Sequence, residues 1–359
     1  MKTYNLKVAM IITSLEVGGA EKMVIDLASK LQEEIEIRLY IIRKNYHSIY
    51  DDSAKNLGIK VIYLNNQWRV FNVFTAWKLK QHLEKFQPDV IHTHLKSSSY
   101  IYFYNLTRHN FLWIHTVHTY FKIDIKILRR ILMESLIIRK RIKLVAVSPV
   151  VNNSIKNKYP KLNPLTINNG VDSSRFKFSK RDYSKINIIH VGRFVGIKNH
   201  VYLIREFAEL VKVYPDSLLT LVGDGPLMDK IKKLVHKLKI TDNVIFVGNT
   251  SQVERYLSAA NLFVLPSKYE GLSLSLIEAM ATGLIAITGA GGIDIIKNGV
   301  NGYLIELTEN MLVTAIINIF KEKDKLYTIQ QQAYQTAKEY SLEKMKSSYL
   351  SLYLGDIND

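Results

Sequence analysis

Short β-branched runs alternate along this chain with longer stretches whose apolar residues recur at helical spacing. In the first half the pattern predicts strands over Lys7–Thr13, Ile35–Ile42, Lys60–Leu64, Val90–His94, Trp113–His118 and Leu144–Ser148. Amphipathic helices are predicted over Ala20–Leu31 and Phe74–Lys85. The pattern then restarts, with strands over Ile186–Gly192, Ser217–Gly223, Val244–Val247, Leu262–Leu265 and Ile285–Thr288, and helices over His200–Val213 and Leu227–Leu238. Strands that are apolar almost throughout, alternating with helices, imply parallel sheets covered on both faces. A turn signal, Asn168-Asn169-Gly170-Val171-Asp172, stands near the midpoint, and the polar, basic stretch from there to Lys185 suits a linker. An amphipathic helix over Ser341–Leu354 closes the chain.

At 359 residues the chain exceeds one ordinary hydrophobic core, so two domains are expected. The expected division is 1–170, 171–340 and a closing helix 341–359. Each large segment reads as a Rossmann-like, doubly wound α/β domain. Such sheets bind ligands beyond the carboxyl ends of their strands. Two of them facing each other would put a cleft between the domains, and the unusual residues concentrate at those strand ends.

Composition narrows the chemistry. The chain has no cysteine, which excludes disulfides, zinc–thiolate sites, iron–sulfur clusters and a thiol nucleophile. No run of 18 apolar residues occurs, so no spanning helix is expected. The lysines and apolar run of Met1–Leu15 resemble a signal peptide, but no small-residue cleavage site follows, and a buried first strand is the expected reading. A net charge of +17 favours acidic partners: phosphorylated ligands, an anionic membrane or nucleic acid. Nucleic acid is not expected, because no reader motif or ordered basic–aromatic array accompanies the charge.

The densest chemistry lies between Pro266 and Glu278. A strand ends at Pro266, Glu270 and Gly271 follow in a loop, and Ser273 is placed to cap a helix that Gly283 stops. The amides of Leu272, Ser273 and Leu274 at such a helix start favour an anion. Two carboxylates beside an anion site suit the gripping of hydroxyls, although Glu278 also fits a solvated helix position. After the strand Ile188–Val191 come Arg193 and Lys198, in a loop before a helix. They fit a diphosphate clamp or a solvated surface pair. Gly223, within Val222-Gly223-Asp224-Gly225-Pro226, marks the next strand end. In the first half, Gly18-Gly19 opens the first helix without the spacing of a dinucleotide fingerprint. Four histidines gather at strand ends: His92, His94, His115 and His118. They come in pairs from different strands, no D-x-D motif occurs in the chain, and no metal is expected.

Glu270 and Glu278, in this strand–loop–helix setting, resemble the E-x7-E signature of the retaining GT-B glycosyltransferases, especially glycosyltransferase family 4. Ala279-Met280-Ala281-Thr282-Gly283, Gly291-Gly292, Asn298-Gly299 and Asn301-Gly302-Tyr303-Leu304 fit the same family. The resemblance runs from Gly18-Gly19 to the last helix. It implies that Glu278 holds the ribose of a nucleotide-diphosphate sugar, that Glu270 contacts the donor sugar, and that Arg193 and Lys198 clamp the diphosphate. Gly223 and Gly19 would lie near the donor. Gly18, Gly19, His94 and His118 would form the acceptor side, and the last helix would cross back to the first domain as part of a hinge. Two positions depart from the pattern: Ile285 where relatives often carry proline, and Asp294 where they usually carry proline–glutamate.

The implied activity is retaining, metal-independent transfer of a sugar to a glycan or a polyprenyl- or lipid-linked acceptor, with no cofactor beyond the nucleotide-diphosphate sugar. Bacterial polysaccharide, lipopolysaccharide, capsule or glycolipid synthesis is the implied setting. The segment 122–143 is basic and apolar at helical spacing, which suits either an anionic membrane surface or a buried-face helix. The implied location is cytoplasmic, and the membrane-surface reading of that segment would place the chain peripherally on the inner face of the membrane. The aromatic stretches Val70–Trp77 and Tyr100–Leu112 fit acceptor lining and core packing equally. Two other readings stand beside this one: a sugar-nucleotide epimerase of the same fold, and a catalytically silent membrane-anchoring subunit.

Overall fold

Parallel strands, buried on both faces, organise each half of the chain. The computed structural model describes residues 4–67, 71–105, 110–119, 142–160, 162–289 and 294–356. It divides into two units, Met1–Gly170 with Leu342–Asp359, and Val171–Ser341.

The first unit holds β1 (Lys7–Ile12), β2 (Glu36–Arg43), β3 (Val61–Asn66), β4 (Val90–His94), β5 (Leu112–Val117), β6 (Lys143–Ala146) and β7 (Leu165–Thr166). Their order is β3-β2-β1-β4-β5-β6-β7, and every pairing is parallel. The second unit holds β8 (Asn187–Val191), β9 (Leu218–Val222), β10 (Val244–Gly248), β11 (Leu262–Leu265), β12 (Ile285–Gly289) and β13 (Tyr303–Ile305), in the order β10-β9-β8-β11-β12-β13, again all parallel. The strand order reverses between β1 and β4 in one sheet and between β8 and β11 in the other. Those are the topological switch points, where a parallel sheet leaves room for a ligand.

Burial explains why these runs are strands. From Val8 to Ile12, and again from Leu262 to Leu265, every residue is buried, which only a sheet covered on both faces allows. The helices between them turn one apolar stripe inward. In the second unit Leu203, Ile204, Phe207 and Leu210 of the helix His200–Val213 join Ile188, Leu219 and Leu262 in one core.

Several elements lie outside the periodicity reading. The helix Ile49–Asn56 is short and polar, and a capping box defines it: Ser48 accepts from the amide of Asp51, and Asp51 from that of Ser48. The helix Met311–Lys321 takes its cap from far away in sequence. The buried carboxylate of Glu206 accepts from the amides of Asn310 (2.8 Å), Leu312 (3.0 Å) and Val313 (3.4 Å). The stretch before Lys185 is not a free linker. Its Arg181 is buried, and the guanidinium donates to the carbonyls of Ser258 and Thr282, both at 2.5 Å. A linker's polarity here serves to satisfy carbonyls at two helix ends.

The last helix, Leu342–Leu354, packs against the helix Gly19–Leu31 of the first unit. Lys346 pairs with Glu34 at 2.5 Å and Lys30 with Glu343 at 3.3 Å. Among the described residues no helix is long and apolar enough to cross a membrane.

Buried imidazoles are a shared feature of both cores. His92, His94 and His115 lie in the first sheet, and His190 and His200 in the second unit. Burial, the largest cause in each case, lowers all five, His115 and His200 to about 4.

Two outcomes are expected. Glu206→Ala strands three amides and should cost about 1–3 kcal/mol in urea unfolding, with Glu206→Gln losing less because it keeps an acceptor; equal midpoints for Glu206→Ala and wild type would remove the cap from the account. Unfolded histidines titrate near about 6.5 and the folded ones lower, so the unfolded chain binds more protons between these values. The melting temperature should therefore fall as pH is lowered from about 6.5 towards about 4; a midpoint that is flat across this window would contradict the burial of neutral imidazoles.

Candidate functional site

At the carboxyl end of β8 the chain makes a loop, Gly192 to Asn199, before the helix His200–Val213. This loop is fastened to the end of β9. Gly192 donates to the carbonyl of Val222, Phe194 to that of Asp224, and Leu227 to that of Phe194. The approach is so close that Gly223 and Gly225 must lack side chains. A Cβ at Gly223, where φ is +125°, would lie 2.3 Å from the Gly192 carbonyl oxygen, and one at Gly225, where φ is +158°, would lie 2.7 Å from that of Phe194. The turn that follows β9 is thus a backbone brace for the loop carrying Arg193 and Lys198.

On the other side of the switch point, β11 leads through Pro266 to Glu270. Lys268 donates its amide to the carbonyl of Ile197 at 2.9 Å, tying this loop to the first one. The side chains meet there as well: Lys198 Nζ lies 2.5 Å from Glu270 Oε1, and both side chains are mostly buried. Arg193 is exposed, and among the described residues its guanidinium has no ion-pair partner. The structure therefore brings Lys198 and Glu270 together and leaves Arg193 open at the rim.

The helix Leu274–Ala281 starts from the same loop. Ser273 occupies the expected N-cap position, but its hydroxyl makes no capping bond. It pairs instead with Ser275 Oγ at 3.1 Å, so the first amides of the helix lack a side-chain cap. Gly271 and Leu272 are half-buried, and Ser273 and Leu274 are buried. Gly283 ends the helix with φ +80°, where its amide bonds the carbonyl of Met280 and that of Leu284 bonds Ala279. Glu278, one turn in, is only 3% exposed, so it is not a solvated helix residue.

His190 and His200 were not singled out from the sequence, yet they floor this site. His190 Nδ1 donates to the Val264 carbonyl at 2.8 Å, which makes Nε2 the bare nitrogen of the neutral ring. The His200 ring stacks on Phe194 at 4.1 Å and meets His190 edge-on at 4.7 Å. After burial, the charge of Lys198 is the largest cause lowering His200, and for His190 it is the neighbouring His200. Two neutral rings thus support the loop without competing with its cations for an anion. The available signal was a polar ring at an inward position of an otherwise apolar strand.

In the first unit, Gly18 precedes the helix Gly19–Leu31 in extended conformation, with Glu21 in the first turn. A Cβ at Gly18 would lie 2.5 Å from Glu21 Oε2, so the carboxylate of the first turn folds back over the helix start. Across the switch point, His94 ends β4 and His118 follows β5. His94 Nδ1 lies 3.1 Å from His118 Nε2. His94 Nε2 and His118 Nδ1 are both sheltered from solvent and have no partner. One of these two outer atoms must carry a proton and the other must not, since each neutral ring holds one N–H and the inner pair shares a single bond. Burial first, and then the neighbouring histidines, keep both rings below the ordinary histidine range. His115 is turned elsewhere, to Thr93 Oγ1 at 3.0 Å. Among the described residues no three His, Asp or Glu side chains are placed to hold a metal ion.

Most of the basic segment 122–143 and the pair Gly291-Gly292 lie outside the described residues. The aromatic stretch before Trp77 divides. Phe71 packs on Tyr100 at 4.9 Å, whereas Phe74 and Trp77 are exposed.

Comparison with known proteins gives this geometry a family. Residues 17–175 match the model of Glycosyltransferase Family 4, and residues 172–336 that of Glycosyl transferases group 1. The N-acetyl-alpha-D-glucosaminyl L-malate synthase of Bacillus anthracis is 28% identical over 319 residues, which cover 82% of this chain and 83% of that protein. The UDP-Gal:alpha-D-GlcNAc-diphosphoundecaprenol alpha-1,3-galactosyltransferase of Escherichia coli is 33% identical over 143 residues, 37% of this chain and 36% of that one. The crystal structure of Anabaena HepE in complex with UDP-glucose aligns with a TM-score of 0.83 at 18% identity, covering 98% of this chain and 100% of that chain. The two family models together run from residue 17 to residue 336, and this chain belongs to the family 4 glycosyltransferases, with their GT-B fold.

Proposed function

We propose that the chain transfers a sugar from a nucleotide-diphosphate donor to a glycan or lipid-linked acceptor with retention of anomeric configuration, without a metal or other cofactor. The observation that carries this reading is the Lys198–Glu270 ion pair, set beside an uncapped helix start at a switch point. A diphosphate entering there meets the open Arg193 and the amides of Leu272, Ser273 and Leu274. It competes with Glu270 for Lys198. Once Lys198 turns to the phosphate, the Glu270 carboxylate is released to accept from hydroxyls of the donor sugar. Glu278, buried deeper on the same helix, takes the ribose hydroxyls. Gly223 keeps the backbone near the nucleotide.

As the sugar–phosphate bond breaks, negative charge gathers on the leaving diphosphate. Arg193, Lys198 and the helix amides hold it, which is the role a divalent cation plays elsewhere. The acceptor binds on the side of Gly18, Gly19, His94 and His118. Rings that burial keeps neutral suit an uncharged hydroxyl. That hydroxyl attacks from the face the phosphate leaves, and the phosphate oxygen takes its proton. The Escherichia coli relative is named for a UDP-sugar donor and a diphosphoundecaprenol-linked acceptor, which supports an acceptor of that chemical class here. With it goes a peripheral place on the inner face of the membrane, through the basic segment 122–143, in synthesis of cell-envelope polysaccharide such as lipopolysaccharide or capsule.

The donor half is tested by thermal shift with a panel of nucleotide diphosphates and nucleotide sugars in chelator. One nucleotide should raise the melting temperature by several degrees, and Glu278→Ala should abolish the rise. Arg193→Ala and Lys198→Ala should each lower turnover about 100-fold or more; wild-type turnover in both would overturn the clamp. His118→Ala should impair acceptor transfer while leaving the nucleotide-induced shift intact. Loss of both together would count against its place on the acceptor side.

A further inference from the structure

His118 is half-buried. It rests on a chain of rings and hydroxyls that ends in the last helix. His94, its hydrogen-bond partner, lies against His92 with ring centroids 4.0 Å apart. His92 is held at both nitrogens, Nδ1 by the Tyr353 hydroxyl at 2.6 Å and Nε2 by Thr116 Oγ1 at 2.7 Å. Thr116 is held in turn by the Tyr349 hydroxyl at 3.0 Å. Tyr349 and Tyr353 stand one turn apart on the helix Leu342–Leu354, and both are buried.

A ring bonded at both nitrogens cannot rotate or flip without breaking a bond. The His92 plane is therefore fixed by three hydroxyls, two of them from a helix that follows the entire second unit in sequence. His94 packs against that ring at an interplanar angle of 44° and is bonded through Nδ1 to His118, so the position of the His94–His118 pair depends on where His92 is held. A phenylalanine at position 353 would leave the buried His92 Nδ1 without its partner, and one at position 349 would remove the bond to Thr116. Burial raises both tyrosines above their ordinary range, so they stay neutral hydroxyls.

We infer that Tyr349 and Tyr353 are positioning residues for the acceptor side, acting through Thr116, His92 and His94 to set the orientation of His118. The inference rests on the acceptor-side reading of His118 and extends it to the last helix. The two tyrosines touch neither donor nor acceptor. Their effect is confined to how the His94–His118 pair is placed and oriented.

The experiment compares Tyr353→Phe, Tyr349→Phe and Lys346→Ala with wild type. Lys346→Ala loosens the same helix by breaking the Glu34 ion pair, without removing a hydroxyl. Two readouts are taken: imidazole nitrogen shifts by long-range 15N–1H NMR, and KM for acceptor and donor separately. Tyr353→Phe should shift the imidazole nitrogen signals of His92, His94 and His118 and raise acceptor KM about tenfold, with the nucleotide thermal shift unchanged. Tyr349→Phe should act in the same direction, and Lys346→Ala should leave the histidine signals as in wild type. Unchanged His94 and His118 signals in Tyr353→Phe, or equal changes in Lys346→Ala, would overturn the inference. If His118→Ala transfers normally, the acceptor-side reading fails instead, and the NMR comparison still decides whether the helix sets the histidine pair.

Discussion

A parallel sheet covered on both faces has no room for polar chemistry except beyond the ends of its strands, and that constraint orders everything else in this chain. The strand interiors are apolar because both faces are buried. The reversal of strand order splays two neighbouring loops apart, β8 from β11 and β1 from β4, and each opening collects the residues that the interior excludes. Lys198 and Glu270 meet at one such opening, His94 and His118 at the other. The glycines after β9 and the carbonyl-seeking Arg181 make sense in the same terms: each lets backbone come together or end cleanly so that the open loops are held by the closed ones.

The two openings differ in electrical character. The one in the second unit is built for charge, with a lysine, an arginine and helix amides against carboxylates. The one in the first unit is built from imidazoles that burial keeps neutral. His190 and His200 carry that same neutrality into the second unit, beneath the cations instead of beside them. A polar but uncharged floor leaves the field of Lys198 undivided.

The strands and main helices were legible in the sequence because burial on two faces writes itself as uninterrupted apolar runs. Val90–His94 and Leu262–Leu265 are read to the residue for that reason. The cluster from Glu270 to Gly283 was legible because cap, glycine and spacing are local signals. What escaped was tertiary. No sequence window around Asn310 shows that Glu206, about a hundred residues earlier, caps the helix there. Ser273 has the composition of a cap, yet Ser275 competes for its hydroxyl. His190 and His200 look like ordinary strand and helix residues until the fold stacks His200 on Phe194 and sets His190 edge-on against it. The stretch to Lys185 has a linker's composition, but Arg181 finds two carbonyls only when the second unit has formed.

Val171 donates to the carbonyl of Tyr340, so the chain enters and leaves the second unit at neighbouring positions. The second unit is in effect a long insertion within the first, and the first is discontinuous in sequence. During synthesis the first sheet emerges early, with His92 and Thr116 in place but without the hydroxyls they bond. Those arrive only with residues 342–354, after all of the second unit has left the ribosome. A nascent chain therefore holds an unfinished polar core for most of its synthesis, until the last helix supplies its two hydroxyls.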